Sequence, residues 1–379
     1  MKLFQCQNCA QPLYFENTRC ESCGLSLGYL PDHETVTALK PHGNVWTALA
    51  DRRGTYRYCA NTVHNVCNWL VSANSPEQFC AACRHNRVIP DLSQPEHLEH
   101  WRLIEIAKHR LFYTLLRLRL PLRTKAEDPD GLAFDFLADI PSPSPGASPV
   151  MTGHANGVIT INLAEANDAE REWRRCQMHE PYRTLLGHFR HEIAHYYWDR
   201  LVAGSAKLDE FRQIFGDERA DYSQALHRYY ASGARADWAQ HFVSAYATAH
   251  PWEDFAETWA HYFHTVDTLE TAGSFGLAVA PKPSKGLRAR IDFDPHRASM
   301  ERLIDAWIPL TFAANSLNRS MGLRDLYPFV LSPPAIGKLT FIHACIHAQA
   351  GRQTKPSRSI RAMIAGLRRS PYGRTSDQF

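Results

Sequence analysis

Eight of the ten cysteines lie within the first 83 residues, at Cys6, Cys9, Cys20, Cys23, Cys59, Cys67, Cys80 and Cys83. That clustering constrains the fold more than any other feature. A short segment cannot bury enough apolar surface to fold unaided, so cross-links or metal must supply the missing free energy. The run Met1-Lys2-Leu3-Phe4-Gln5-Cys6 lacks the apolar stretch of a signal peptide, and nowhere do 18 apolar residues run uninterrupted. The expectation is a cytoplasmic protein with no membrane contact, where paired cysteines serve as metal ligands rather than disulfides.

Cys6-Gln7-Asn8-Cys9 and Cys20-Glu21-Ser22-Cys23 form two CxxC turns ten residues apart. Each turn points two thiolates at one ion, and two turns complete a closed tetrahedral zinc site. Leu13, Tyr14 and Phe15 between them suit a hairpin. The second set is less regular, with one CxxC at Cys80–Cys83 and the wider pair Cys59 and Cys67. His64 lies between that pair as an alternative ligand, although four soft thiolates are the favoured zinc set. Trp46, Tyr56, Tyr58, Trp69 and Phe79 would supply its small core. Both sites read as structural, since neither leaves an open position. The isolated Cys176 and Cys345 read as buried small hydrophobes.

With 44% apolar and 21% charged residues, the chain has the composition of a globular protein, and a net charge of +3 is too small to argue for nucleic acid by itself. The ribbon's basic residues are scattered. Between Gly351 and Phe379, however, seven basic residues face one acidic residue. Ribbons and basic tail are therefore candidate contacts for a protein or nucleic-acid partner. The divisions expected are a zinc ribbon at 1–40, a second zinc module at 41–92, a larger domain at 96–334, and a C-terminal helix with basic tail at 335–379.

Within the larger domain, Leu98, Trp101, Ile104, Leu111, Leu115 and Leu118 recur at helical spacing, and Pro121 ends that helix. Leu132–Leu137 and Val158–Leu163 read as strands, Pro141–Gly146 as a loop and His154–Gly157 as a turn. A helix led by Pro181 then carries His191-Glu192-Ile193-Ala194-His195. Residues 191 and 195 project from one face, one turn apart, so both imidazoles can reach one zinc. Glu192 sits about 100° around the helix. There it can act as general base toward a zinc-activated water and then pass the proton to the leaving amine. A second helix opens at His250-Pro251-Trp252 and places Glu253, Glu257, His261 and His264 on one stripe. Two carboxylates on so aromatic a helix are costly to bury unpaired. Glu253 as third zinc ligand, with Glu257 holding the other nitrogen of a ligand histidine, accounts for both. His188 reads as a neighbour of the metal rather than a ligand, and Asp217 and Glu218 as structural.

HEIAH with the downstream EDFAETWAHYFH resembles the gluzincin type of zinc peptidase, and in particular a bacterial family of zinc-binding metallopeptidases with an N-terminal zinc ribbon. CNWL at Cys67–Leu70 and GDERADYSQAL at Gly216–Leu226 extend the likeness over most of the chain. The resemblance implies an α+β zincin-like domain, a small sheet beside active-site helices, preceded by four-cysteine zinc-ribbon modules. It implies one catalytic zinc on His191, His195 and Glu253, two structural zincs, and peptide or protein substrates. It also places Tyr246, seven residues before Glu253, where some gluzincins have an oxyanion-stabilising tyrosine. The chain departs from thermolysin-like enzymes at Trp252, where those have asparagine. The competing expectation is a zinc-ribbon adaptor whose HExxH site is not catalytic. Val158–Leu163 is the candidate edge strand for an extended peptide.

Overall fold

The computed structural model describes residues 2–139, 150–177, 184–283 and 286–353. The Pro141–Gly146 loop, Pro181 and the basic tail past residue 353 lie outside the described residues.

The N-terminal quarter is built on two short sheets. Strands β1 (Phe4–Gln5) and β2 (Pro12–Leu13) pair antiparallel and present the first four cysteines. Strands β3 (Leu27–Leu30), β4 (Thr35–His42), β5 (Val45–Ala48), β6 (Asp51–Tyr58) and β7 (Leu70–Ser72) follow in sheet order. Tyr29 also bridges Trp69, its N–H bonding Asn68 O at 2.9 Å, so the two edges of the sheet meet. That bridge leaves fewer orphan backbone groups at the edges of so small a sheet. Inside, Phe15 packs edgewise on Tyr29 and on Trp69, and Trp69 lies tilted against Tyr29. The aromatic core is thus drawn from both cysteine modules. Of the five residues expected there, Trp69 and Tyr56 are buried, while Phe79 is exposed. Because β4 runs through residues 40 and 41, the expected boundary between two separate modules is corrected: one sheet spans both.

Strand β8 (Asn86–Val88) leaves this region, and helix α1 (Pro95–Arg117) crosses over to β9 (Ala133–Leu137), which pairs parallel with β8. Strand β10 (Gly153–Ala155) then turns antiparallel into β11 (Val158–Asn162), and β11 lies parallel to β9. The order is β10-β11-β9-β8. This corrects the expected edge: β11 is interior, and the edge is the three-residue β10, whose last two residues fall in the segment read as a turn. Ile159, Ile161, Phe134 and Phe136 bury completely, so the sheet has a continuous apolar layer for helices to cover.

The helices are α2 (Asp168–Gln177), α3 (Leu185–Leu201), α4 (Leu208–Phe215), α5 (Tyr222–Ser232), α6 (Trp238–His241), α7 (Pro251–Ser274), α8 (Met300–Ser320) and α9 (Pro333–Gln353). A small hairpin of β12 (Ala278–Val279) and β13 (Ala289–Arg290) precedes α8. Since α9 begins at Pro333, the expected boundary at 334/335 falls inside its first turn and is corrected. Among the described residues no helix is long and apolar enough to cross a membrane.

Candidate active site

Helix α3 begins where Thr184 Oγ1 accepts the Gly187 N–H at 3.0 Å, the usual chemistry of a threonine N-cap. Its fully buried face holds Phe189, Ile193, Ala194, Tyr196 and Tyr197. Phe189 packs on Phe134 of the sheet, and Tyr197 stacks on Trp259 of α7. Arg190 reaches across to Asp267 and to His264 Nδ1 on α7. That buried ion pair is costly to mispair, so it fixes how the two helices slide against each other.

Helix α7 starts by different means. His250 is its N-cap: Nδ1 accepts the Trp252 N–H at 3.1 Å, and Nε2–H donates to Ala220 O at 3.0 Å. Pro251 occupies the first turn, where its missing N–H costs nothing. The acidic Glu253 and Asp254 follow at the positive end of the helix dipole.

Between the helices, His191 Nε2 stands 3.3 Å from His195 Nε2 and 2.9 Å from Glu253 Oε2. His195 Nε2 is 3.7 Å from Glu253 Oε1. All three ligand atoms lie within 4.8 Å of one another. Two imidazoles and one carboxylate, with no fourth side chain among them, fit a zinc ion that keeps an open position. His191 Nδ1 donates to Glu257 Oε1 at 2.8 Å, and Ser244 Oγ donates to Glu257 Oε2 at 2.6 Å. These bonds fix the His191 tautomer with Nε2 facing the ligand cluster. Burial pushes Glu253 up, but His195 and His191 outweigh it and hold the carboxyl at about 2.

Glu192 accepts no hydrogen bond from a described residue, and burial raises it to about 7, opposed by His191 and reinforced by Glu253 and Glu165. Tyr246 packs its ring 5.9 Å from His191, and its hydroxyl likewise has no hydrogen-bond partner among the described residues. His188 turns away to Glu165 Oε2 at 3.1 Å. His261 bonds the Tyr327 hydroxyl. Asp217 and Glu218 pair with Arg219 and Arg212.

Sequence reasoning missed Ser244, which holds Glu257, and two residues nearer the ligands. Tyr222, at the start of α5, donates its hydroxyl to Glu253 Oε1 at 2.6 Å, fixing the oxygen that His191 does not touch. Only its place in GDERADYSQAL, the segment shared with the resembled family, pointed to it. His154 on β10 stacks its ring over His195 at 6.4 Å, and its Nε2 accepts the Gly157 N–H at 3.0 Å. Nothing local signals that contact, because it depends on docking the edge strand against α3.

The eight cysteines gather as expected. Cys6, Cys9, Cys20 and Cys23 form one cluster, with Cys6–Cys23 and Cys9–Cys20 sulfurs 3.7 and 3.5 Å apart. Cys59, Cys67, Cys80 and Cys83 form the other, all buried. Both thiol sets fit zinc. His64 stays away from the second, packing its ring on Trp101.

Two histidines and a glutamate from facing helices, beside a small mixed sheet and behind two four-cysteine clusters, thus make a site that fits zinc. The chain belongs to the family described as "Putative zinc-binding metallo-peptidase", whose model matches residues 97–345, and a zinc-ribbon domain model matches residues 3–94. It is 43% identical over 348 residues to uncharacterized proteins of Mycobacterium bovis and Mycobacterium tuberculosis, covering 91% of this chain and 95% of theirs. No solved structure matches.

Proposed function

We propose that the chain is a zinc-dependent peptidase that hydrolyses peptide bonds, with one catalytic and two structural zincs. The observation that carries this reading is the convergence of His191, His195 and Glu253 beside a Glu192 carboxylate that no described residue occupies.

His191, His195 and Glu253 would hold the catalytic ion. When bound, zinc acidifies water to a pKa of about 7 and polarises a carbonyl oxygen. Glu192 takes the proton of the attacking water and delivers it to the leaving amine, a task open to a buried carboxylate that no described residue occupies. Tyr246, with its hydroxyl uncommitted, donates to the oxyanion that develops on the scissile carbonyl. Tyr222 is less suited to that role because its proton already bonds Glu253. The exposed backbone of β10 offers an extended peptide a strand to pair with, directly beside His195. Thiolate-rich zinc sites suit a reducing compartment, which favours the cytoplasm. The ribbon surface and basic tail remain the candidate contacts for a protein or nucleic-acid partner.

Glu192→Gln tests the mechanism. The variant should keep its full zinc content while losing turnover by about 10²-fold or more on any peptide the wild type cleaves. A fully active variant would remove Glu192 from the reaction.

A further inference from the structure

Five ligand atoms, not four, crowd the second cysteine cluster. His109 lies on α1, outside the ribbon and beyond the residues that the ribbon model matches. Its Nε2 atom stands 3.3 Å from Cys67 Sγ, 3.9 Å from Cys80 Sγ and 3.7 Å from Cys83 Sγ. A tetrahedral zinc with bonds of about 2.3 Å to sulfur and 2.0 Å to nitrogen separates those atoms by about 3.5 Å. The nitrogen therefore stands at the distance of a ligand vertex from three sulfurs at once. Cys67 and Cys80 sulfurs are 3.8 Å apart, also the edge of such a tetrahedron.

We propose that His109 is a ligand of the second zinc centre, which is closed by Cys67, Cys80, Cys83 and His109, leaving Cys59 as a neighbouring thiol. Three further observations support this assignment. First, His109 Nδ1 donates to the Glu105 carbonyl at 2.6 Å, the contact that turns the opposite nitrogen of a ligand histidine toward its metal. Second, His109 is only 4% exposed and packs on Trp69, and among the described residues its Nε2 contacts the three sulfurs. Third, the Glu105 carboxylate lies 3.8 Å from Cys83 Sγ in a fully buried setting, where Lys108 is its cationic partner at 2.7 Å. A neutral imidazole adds no negative charge there, whereas a fourth thiolate would add to charge already concentrated in a low dielectric.

The consequence is mechanical. A zinc bonded to three ribbon cysteines and one α1 histidine pins the ribbon to the helix that packs on α3. The proposal is independent of the peptidase reading, since it concerns a closed site with no reacting atoms.

The test uses full-length protein carrying His191→Ala and His195→Ala, so that only cysteine-based sites retain zinc. Zinc K-edge absorption should then report one nitrogen among eight ligands. His109→Phe should remove that nitrogen and raise the dissociation constant of one zinc by at least about tenfold. Because that variant could fail to fold, His109→Cys serves beside it and should retain both zincs with eight sulfurs. Cys59→Ser should keep both zincs and the nitrogen. Eight sulfurs in the starting protein, or loss of the second zinc on Cys59→Ser, would overturn the assignment.

Discussion

Removing the charge behind His191 should weaken one metal and spare the others. Glu257 holds the His191 ring through a 2.8 Å bond and is itself held by Ser244 at 2.6 Å. In Glu257→Gln the amide oxygen can still accept from Nδ1–H, so the ring keeps its place and only the charge goes. A hydrogen bond to a charged group contributes about 1.5–3 kcal/mol, against about 0.5–1.5 for a neutral one. The difference, roughly 1–1.5 kcal/mol, corresponds to about a tenfold loss of zinc affinity. Glu257→Ala removes the bond as well and should approach a hundredfold, the upper range for groups that orient a ligand histidine. Ser244→Ala acts one bond farther out and should cost less than about threefold. The assay is competition with a graded series of chelators, counting zinc equivalents per chain. One equivalent should become labile while the thiolate-held metals stay. If Glu257→Ala bound that equivalent as tightly as wild type, or released cysteine-held zinc as readily, the reasoning would fail.

Two further expectations concern the scaffold. His85 is buried beside Phe112, its Nδ1–H bonds Leu132 O at 3.0 Å, and burial lowers it to about 4. An unfolded histidine protonates near 6.5, so between 6.5 and 4 the unfolded chain binds the extra proton. Stability is therefore undiminished above pH 6.5 and falls as pH drops, by up to about 3 kcal/mol for this group below pH 4. His85→Phe should flatten that part of the profile in urea unfolding between pH 7 and 5; an unchanged slope would contradict the assignment. Ala10 and Gly24 occupy equivalent places, each one residue past a CxxC turn, with φ of 64° and 72°. Alanine is strained there where glycine is not, so Ala10→Gly should stabilise the ribbon by about 0.5–1 kcal/mol, read as a higher chemical midpoint. A lower midpoint would show that chain entropy outweighs the relief.

The candidate site was legible to the extent that it is helical. A spacing of four residues places His191 with His195, and Glu253 with Glu257, whatever surrounds them. The convergence of the two pairs then follows from one helix packing on the other. Tyr222, His154 and His109 escaped because each enters its site from a different element, and no local period records that approach. The edge strand was misread for a related reason. β10 has three residues and runs into a segment with turn composition, while the longer and more apolar β11 has the character of a buried strand. The break expected near residue 40 followed cysteine spacing, whereas β4 runs through it as an unbroken eight-residue strand that pairs with both β3 and β5.

Strand β8 carries a consequence for anyone dissecting the molecule. By sequence it belongs to the ribbon, yet its hydrogen bonds go to β9, and Arg87 on it pairs with Asp135. Cutting the chain at the family boundary would strip the flank of β9 and bare a row of backbone donors and acceptors beside Phe134 and Phe136, an invitation to aggregate. The unit of inheritance and the unit of folding thus do not coincide, since one core runs from the ribbon into the helical domain. A fragment begun at residue 86 would keep β8 but would still bare the face of α1, around Tyr113, on which the ribbon's Phe15 and Tyr29 pack.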